Sequence, residues 1–548
     1  MRRIILITFV LSLTLAFLCE ADEGWQGESR WRLKIYEVSN GESYGEGGDL
    51  FNPMYLYNRT QLKKDDTYKL GIVFRKGRNE PDLSVETLRK YYLLKYYFVM
   101  KDVFFDTFVV GNYKLKYGQG LVFYQPFSEI ARPVKIKYKG ISEDSGTNPN
   151  AYFKGIAFDK RFGNIEGAFF YSEKRLDASR NTDGTIKTEL ESIRDNYGYL
   201  DSASAITNND VLTERLVGAR AVYHFSKKSL LGITGYESSF TPGIDPPDSK
   251  GEYTFRGNKN AVWGADAETS LGGVDIVAEV ARTRDFGGAY IFQPMLDRGD
   301  WMFWSALYRY DSDYYNQHSS ALTTDNMDED INEEGFKAGV EYNNRKLEVN
   351  VHFDRAYHPY MDDNLNPSHV NVLWFDSNLK LNKDMSVYFR QWSKQYMDKA
   401  KNDSGVYEDM DMRWHKTRLQ LTVKPSRSWQ LKTRADLRRD VVANTGVVET
   451  GYLLFEDIKY TASKKLTLEG RLIYFNAPGV YVSAVEPLWK NSYASYFWNS
   501  TGTGIRYYII INVKAGKGSE FWVKYEHTDK CSSDYRSDYA KLQYDVKW

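Results

Sequence analysis

Along most of this chain, segments of about ten residues alternate apolar and polar side chains, the period of a strand with one apolar and one wet face. In one such segment Leu419, Leu421 and Val423 share a face, and Arg418, Gln420, Thr422 and Lys424 share the other. After Pro425, Ser426 and Arg427, the residues Trp429, Leu431, Ala435 and Leu437 stand against Gln430, Lys432, Arg434, Asp436 and Arg438. The two segments read as a hairpin with a short turn. The layout returns at Leu466, Leu468, Gly470, Leu472 and Tyr474, with Thr467, Glu469 and Arg471 opposite. Long heptad-bearing helices are absent from the pattern.

Alternation also explains a mean hydropathy of −0.56 in a chain that is 42% hydrophobic and 16% aromatic. Past the N-terminus no apolar run reaches the roughly 18 residues a membrane-spanning helix needs, which excludes a polytopic helical membrane protein. With 43 Tyr, 29 Phe and 13 Trp the chain is too aromatic for disorder. Lys+Arg 73 balances Asp+Glu 73, so a nucleic-acid partner held by bulk charge is excluded as well.

The N-terminus reads as a signal peptide. Arg2 and Arg3 precede an apolar run over 4–18, and small residues at Cys19 and Ala21 suit cleavage after Ala21. Lipidation at Cys19 is disfavoured by the bulk of Leu18 before it. The domain reading is a signal peptide over 1–21, a short periplasmic segment over 22–30, and a single barrel domain over 31–548. Cys531 is then the one cysteine of the mature chain, which leaves no intrachain disulfide.

The connections sort into two alternating classes. Short turns fall at 63–66, 162–164, 226–228, 271–273, 343–345, 382–384, 425–427, 462–464 and 516–518. Long polar loops fall at 41–53, 126–150, 176–214, 239–259, 312–333, 356–369, 394–412 and 477–500. Short turns at one rim and long loops at the other are the arrangement of outer-membrane barrels, and a soluble sandwich has no reason to sort them so. The expected fold is all-β, a transmembrane antiparallel up-and-down barrel of about 24 strands, within 22 to 26. Short periplasmic turns and long extracellular loops place it in the outer membrane of a Gram-negative bacterium. The C-terminus agrees, because Leu542, Tyr544, Val546 and Trp548 alternate with Gln543, Asp545 and Lys547. A final strand ending on an aromatic resembles the assembly signal of outer-membrane proteins.

A family resemblance adds to this. Phe108-Val109-Val110-Gly111-Asn112-Tyr113 leads into Tyr117-Gly118-Gln119-Gly120-Leu121-Val122, followed by Phe170-Tyr171-Ser172-Glu173-Lys174 with Asp177-Ala178. Further on come Ala278-Glu279-Val280-Ala281, Gly287-Gly288-Ala289, Tyr308-Arg309-Tyr310 and Asn332-Glu333-Glu334-Gly335-Phe336. In order and spacing, over roughly 90–360, these stretches resemble a bacterial outer-membrane barrel family often accompanied by a helix-hairpin-helix segment. This chain departs from it by lacking that segment. The resemblance implies a porin-like barrel in the outer membrane and no settled biochemical activity.

Motifs that carry chemistry are weak. Gly118-Gln119-Gly120 follows a strand but leads into Leu121-Val122-Phe123-Tyr124 and not a helix, so a bulge or close backbone approach fits better than a phosphate loop. Ala515-Gly516-Lys517-Gly518 reads as a hairpin turn. The run Asp325, Asp328, Glu329, Asp330, Glu333 and Glu334 fails the EF-hand spacing and reads as a solvated acidic loop, with loose divalent bridging to lipopolysaccharide as the alternative. Of the histidines, His358 with Asp362 and Asp363 comes nearest to an acid/base cluster, and a polar loop turned by Pro359 accounts for it. No catalytic residue, metal ligand or cofactor site is expected.

Two functions follow. One is a porin-like channel for passive or selective passage of small polar solutes. The other is a non-conducting scaffold that anchors a periplasmic or surface partner, or presents its loops for adhesion or glycan binding. A lumen of this width is open, narrowed by folded-in loops, or plugged. The loops over 126–150 and 176–214 are the candidates to fold inward or form a cap, with about two helical turns over 189–195 capped by Thr188. Outward Trp263, Ala265 and Ala267 leave Asp266 and Glu268 inside, and outward Val274, Ile276, Ala278 and Val280 leave Asp275 and Glu279 inside, an acidic wall. Arg418, Lys432, Arg434 and Arg438 form a basic one, and opposed walls would orient dipolar solutes. The expected partners are membrane lipid, lipopolysaccharide and the barrel-assembly machinery.

Overall fold

The computed structural model describes residues 24–38, 55–77, 93–123, 140–146, 152–193, 204, 207–250, 253–284, 287–324, 332–359, 368–401, 407–443, 445–490, 495–516, 518–531 and 535–548. The signal peptide expected over 1–21 lies outside them, as do Asp325, Asp328, Glu329, Asp330, Asp362, Asp363 and most of 126–150.

The described strands run from Trp25–Val38 to Arg536–Lys547, each antiparallel to the next, and the last pairs with the first. Two short strands share one place in this order. Gly140–Glu143 and Phe153–Phe162 both pair with Thr107–Lys116, at Leu115↔Ile141 and at Val109↔Ala157. The 25 strands therefore occupy 24 positions in a closed up-and-down barrel. Closure gives each of these positions a paired neighbour on both sides, as a span through lipid requires.

The outer face shows why this sequence belongs in a bilayer. Leu231, Ile233, Val280, Leu307, Leu373, Leu419, Leu437, Leu454, Leu472, Ile509 and Ile511 are large, apolar and exposed. Near the short-turn rim the belt is bordered by outward Tyr223, Phe225, Trp301 and Phe303, and by the stacked pairs Trp429–Tyr460 and Phe521–Tyr544. Toward the opposite rim stand outward Tyr171, Tyr290, Tyr357, Tyr452, Tyr474 and Tyr525. An aliphatic belt between two aromatic girdles is the surface of a transmembrane barrel.

Three sequence expectations need correction. The first strand begins at Trp25, so 25–30 belongs to the barrel and not to a separate periplasmic segment. Its start is fixed by Trp25↔Lys64 on one side and Glu28↔Lys547 on the other, partners remote in sequence. The loops expected over 394–412 and 477–500 are largely strand, within Met385–Lys401, Tyr407–Val423, Leu466–Pro487 and Ser495–Lys514. The first of these hairpins keeps pairing where both faces are largely polar, whereas the second alternates beyond Gly479, with Val480, Val482 and Ala484 buried. In place of two helical turns over 189–195 there is one 3₁₀ turn, Leu190–Ser192, with Arg194 and Asp195 outside the described residues. Thr188 does not cap it, because its hydroxyl accepts the Ser179 N–H at 2.8 Å. Two further short turns, at 102–106 and 299–300, lie between strand pairs of the short-turn rim.

Candidate functional site in the lumen

Strand alternation sends Glu279, in the middle of Val274–Thr283, into the barrel, where it is 3% exposed. Segment 117–123 turns in to meet it, with Gly118 at φ +57° and Gly120 at φ +96°. The carboxylate accepts the backbone N–H groups of Gln119 at 2.5 Å, Leu121 at 3.1 Å and Val122 at 3.3 Å. A Cβ on residue 118 would lie 2.6 Å from Glu279 Oε2, so the close approach requires glycine. This glycine turn does cradle an anion, and the anion is the protein's own side chain. Hydrogen bonds to a charged acceptor contribute about 1.5–3 kcal/mol each.

A second connection locks onto the first. Tyr314 donates to Leu121 O at 2.7 Å, and Asn316 Nδ2 to the Leu121 and Val122 carbonyls at 2.6 and 3.1 Å. Tyr236 in turn donates to Asn316 Oδ1 at 2.7 Å. Buried Glu214 binds His318 at 2.8 Å and Ser238 at 2.7 Å. Phe123 completes the plug against Tyr236, Phe170 and Phe153, at ring distances of 4.8, 5.2 and 5.6 Å. Above it, Leu176, Ile186, Leu190, Phe240, Phe255 and Tyr315 form a separate apolar cluster that caps this side. The start of the 176–214 loop is thus a packed cap.

The other side is filled by the hairpin whose first strand is Leu466–Pro487. Its register shifts between Ala477 and Val482, with Gly479 at φ +83°, and from there the chain lies across the inner wall. Arg438 donates to Tyr481 O at 3.1 Å, Lys416 to Ser483 Oγ at 2.9 Å, and Arg471 to Val485 O at 2.8 Å. Glu486, fully enclosed, is gripped by Arg506 at 2.8 Å through both oxygens and by Lys524 at 2.9 Å. Trp489 stacks on Tyr55 at 6.1 Å beneath the Arg32 guanidinium. Sequence reasoning placed this segment among the loops and gave no sign that it turns inward, since its partners come from strands far along the chain.

The predicted wall residues can now be placed. Asp266, Glu268, Asp275 and Glu279 share the inner face of two paired strands, Asp266 directly opposite Glu279. Asp266 forms a two-point ion pair with Arg220, at 2.5 and 2.8 Å, while Glu268 and Asp275 are half-buried. Arg418 and Arg434 share Asp436, Arg438 pairs with Asp440 at 2.8 Å, and Lys432 stands 3.7 Å from Asp457. Each predicted basic residue therefore has an acidic neighbour, and Arg438 also holds the in-folded hairpin. Leu542, Tyr544 and Val546 lie on the outer face, and Trp548 closes the seam against Gly27. His358 stands 3.3 Å from Glu333, whose carboxylate also accepts Tyr308 at 2.5 Å and the Thr324 N–H at 2.7 Å.

Between the two fillings, the inner wall from Ser368–Asn382 to Tyr407–Val423 stays half-exposed at Trp374, Arg390, Trp392 and Trp414. These tryptophans were not singled out from the sequence. The available signal was an indole at an inward position, among residues such as Asp376, Arg390 and Lys416 that follow the polar-inside rule.

A closed barrel with an apolar belt outside and its own connections folded inside is a transmembrane β-barrel of the outer-membrane type. The chain matches no protein-family model, and no curated protein matches it in sequence. Among solved structures it is similar to the siderophore receptor PirA from Pseudomonas aeruginosa, at 8% identity and a TM-score of 0.45, over 96% of this chain and 81% of that one. It is also similar to the ferric-catecholate import receptor Fiu from E. coli, at 9% identity and a TM-score of 0.42, over 95% and 82% of the two chains. For the copper transporter OprC the values are 7% and 0.45, over 95% and 80%.

Proposed function

We propose that this protein is an outer-membrane channel that passes small polar solutes along a half-exposed stretch of its inner wall. The observation that carries the reading is the half-exposed strip at Trp374, Arg390, Trp392 and Trp414, beside two masses of in-folded chain. Inward charges that pair one to one, as Arg220 does with Asp266 and Arg438 with Asp440, favour selection by size and shape over strong ion selectivity. The order of motifs over 90–360 supports a place in the barrel family that often accompanies a helix-hairpin-helix segment, with 1–21 as the signal peptide. Its surroundings would be membrane lipid, lipopolysaccharide and, during folding, the barrel-assembly machinery.

The extent of the filling favours a second reading, a non-conducting barrel that anchors a periplasmic or surface partner or presents its loops for adhesion or glycan binding. Recording in planar bilayers separates the two: stepwise currents from purified, folded protein support the channel, and electrical silence supports the scaffold.

A further inference from the structure

The uncovered strip belongs to a longer aromatic row. Strand register sets Trp304 opposite Gly339, Gly339 opposite His352, His352 opposite Trp374, and Trp374 opposite Trp392. Trp414 continues the row on the following strand. Successive ring centroids lie 5.8, 5.5, 4.9 and 4.4 Å apart. Glycine is required at 339, because a Cβ there would overlap the Trp304 indole, which crosses that strand to reach His352. Trp304 and His352 are buried in the wall, at 4% and 2% exposure, so the part of the row that faces the lumen runs from Trp374 through Trp392 to Trp414, at centroid steps of 4.9 and 4.4 Å. Strands in such barrels tilt by 35–45°, so a row that crosses them climbs the wall obliquely.

Cross-strand packing alone would account for ring contacts. It does not account for what the rings leave open. In the plug, Tyr113, Phe123 and Phe170 are at most 1% exposed, whereas Trp374, Trp392 and Trp414 keep part of their surface toward the lumen. The indole N–H groups of Trp304 and Trp392 have no acceptor, and neither has the Asn350 side-chain oxygen a donor, one inward position from His352. Trp374 by contrast donates to Asp376 at 2.5 Å. Buried donors and acceptors are normally paired, so these point to a partner that enters the lumen.

The chemistry of that partner is constrained. Arg390 lies 4.2 Å over the Trp374 ring and 4.0 Å from Asp376, Lys394 lies 4.8 Å over the Tyr396 ring and Lys416 donates to Ser483 Oγ at 2.9 Å, so the charged groups beside the row are already engaged within the wall. Flat aromatic faces edged by unpaired hydrogen-bonding groups suit pyranose rings, which present apolar C–H faces and hydroxyl rims. Three adjacent indoles suit a short chain of such rings. We infer that the row is a sliding site for neutral linear oligosaccharides. The inference deepens the channel reading and rests on it for passage, though binding itself needs no conduction.

The test is calorimetric titration of the folded, detergent-solubilised full chain with maltohexaose, cellohexaose and chitohexaose. At least one is expected to bind, and the double variant Trp374→Ala/Trp392→Ala, still heat-modifiable, is expected to bind about tenfold more weakly. Absence of binding by all three, or binding unchanged in the double variant, overturns the inference. If the double variant does not assemble, Trp392→Phe keeps the aromatic face and loses the N–H. An affinity about threefold weaker is then expected, and an unchanged one counts against the site. Sugar binding by an electrically silent barrel would sink the channel reading alone, and a conducting barrel indifferent to all three sugars would sink this inference alone.

Discussion

Gly27 and Trp548 exchange both of their backbone hydrogen bonds, at 2.9 and 3.0 Å, and so join the two ends of the barrel. A Cβ at residue 27 would fall inside the Trp548 indole. The pairing continues from Glu28↔Lys547 to Val38↔Ser537, reinforced by Arg30 and Asp545 at 2.6 Å. The alternating C-terminal strand thus supplies the last ladder of a closed sheet as well as a terminal aromatic.

Gly27→Val should obstruct closure, and deletion of Trp548 should remove its final pair. Both are expected to reduce heat-modifiable, membrane-inserted protein several-fold with synthesis unchanged, as read on unboiled gels of outer-membrane fractions. Assembly indifferent to both changes would show that the seam and the C-terminal aromatic are dispensable.

Glu279→Ala orphans three backbone N–H groups, at about 1–3 kcal/mol each if they stay buried. Segment 117–123 is expected to leave the lumen, exposing a new protease site near Phe123 and raising conductance. Glu279→Gln, which keeps one acceptor oxygen, should have a smaller effect. A glutamine variant as open as the alanine variant would contradict the role given to the carboxylate.

Replacing Arg418, Arg434 and Arg438 by Gln leaves Asp436 and Asp440 without their cations. The reversal potential in a salt gradient should move toward cation selectivity. An unmoved potential, with folding and conductance intact, would place these charges off the conducting path.

Glu486→Leu removes the anion that Arg506 and Lys524 share, and breaking a buried pair from one side costs about 3–5 kcal/mol. The in-folded hairpin should become cleavable near Ser483, in limited proteolysis from the long-loop side. Resistance equal to that of the parent would mean that the network does not hold the hairpin.

What was legible in the sequence was local. Faces such as Leu419/Leu421 against Arg418/Gln420, and turns such as Gly272-Gly273 and Gly163-Asn164, are encoded within a few residues of themselves, and they fix the barrel and its sorted rims. The inward side of Asp266, Glu279 and Arg434 follows from the same period. Their partners do not, because Arg220, the 117–123 turn and Ser483 reach them through register and long connections. Glu279 meets Gln119 across 160 residues of chain. The row from Trp374 to Trp414 was hidden for the same reason, since one indole per strand becomes a row only once two registers are known. The inward hairpin over 478–490 was hidden likewise: its alternating Val480, Val482 and Ala484 pack on Leu453, Ile473 and Phe475, an inward apolar patch that only the register assembles.

The most direct test of the account is single-channel recording of the purified, folded protein beside a variant in which 480–490 is replaced by a short Gly-Ser turn. The account predicts small stepwise currents from the parent, far below those of an unobstructed barrel of this size, and larger ones from the variant. Silence from both, with the variant heat-modifiable and the parent competent in every assembly assay, would contradict it.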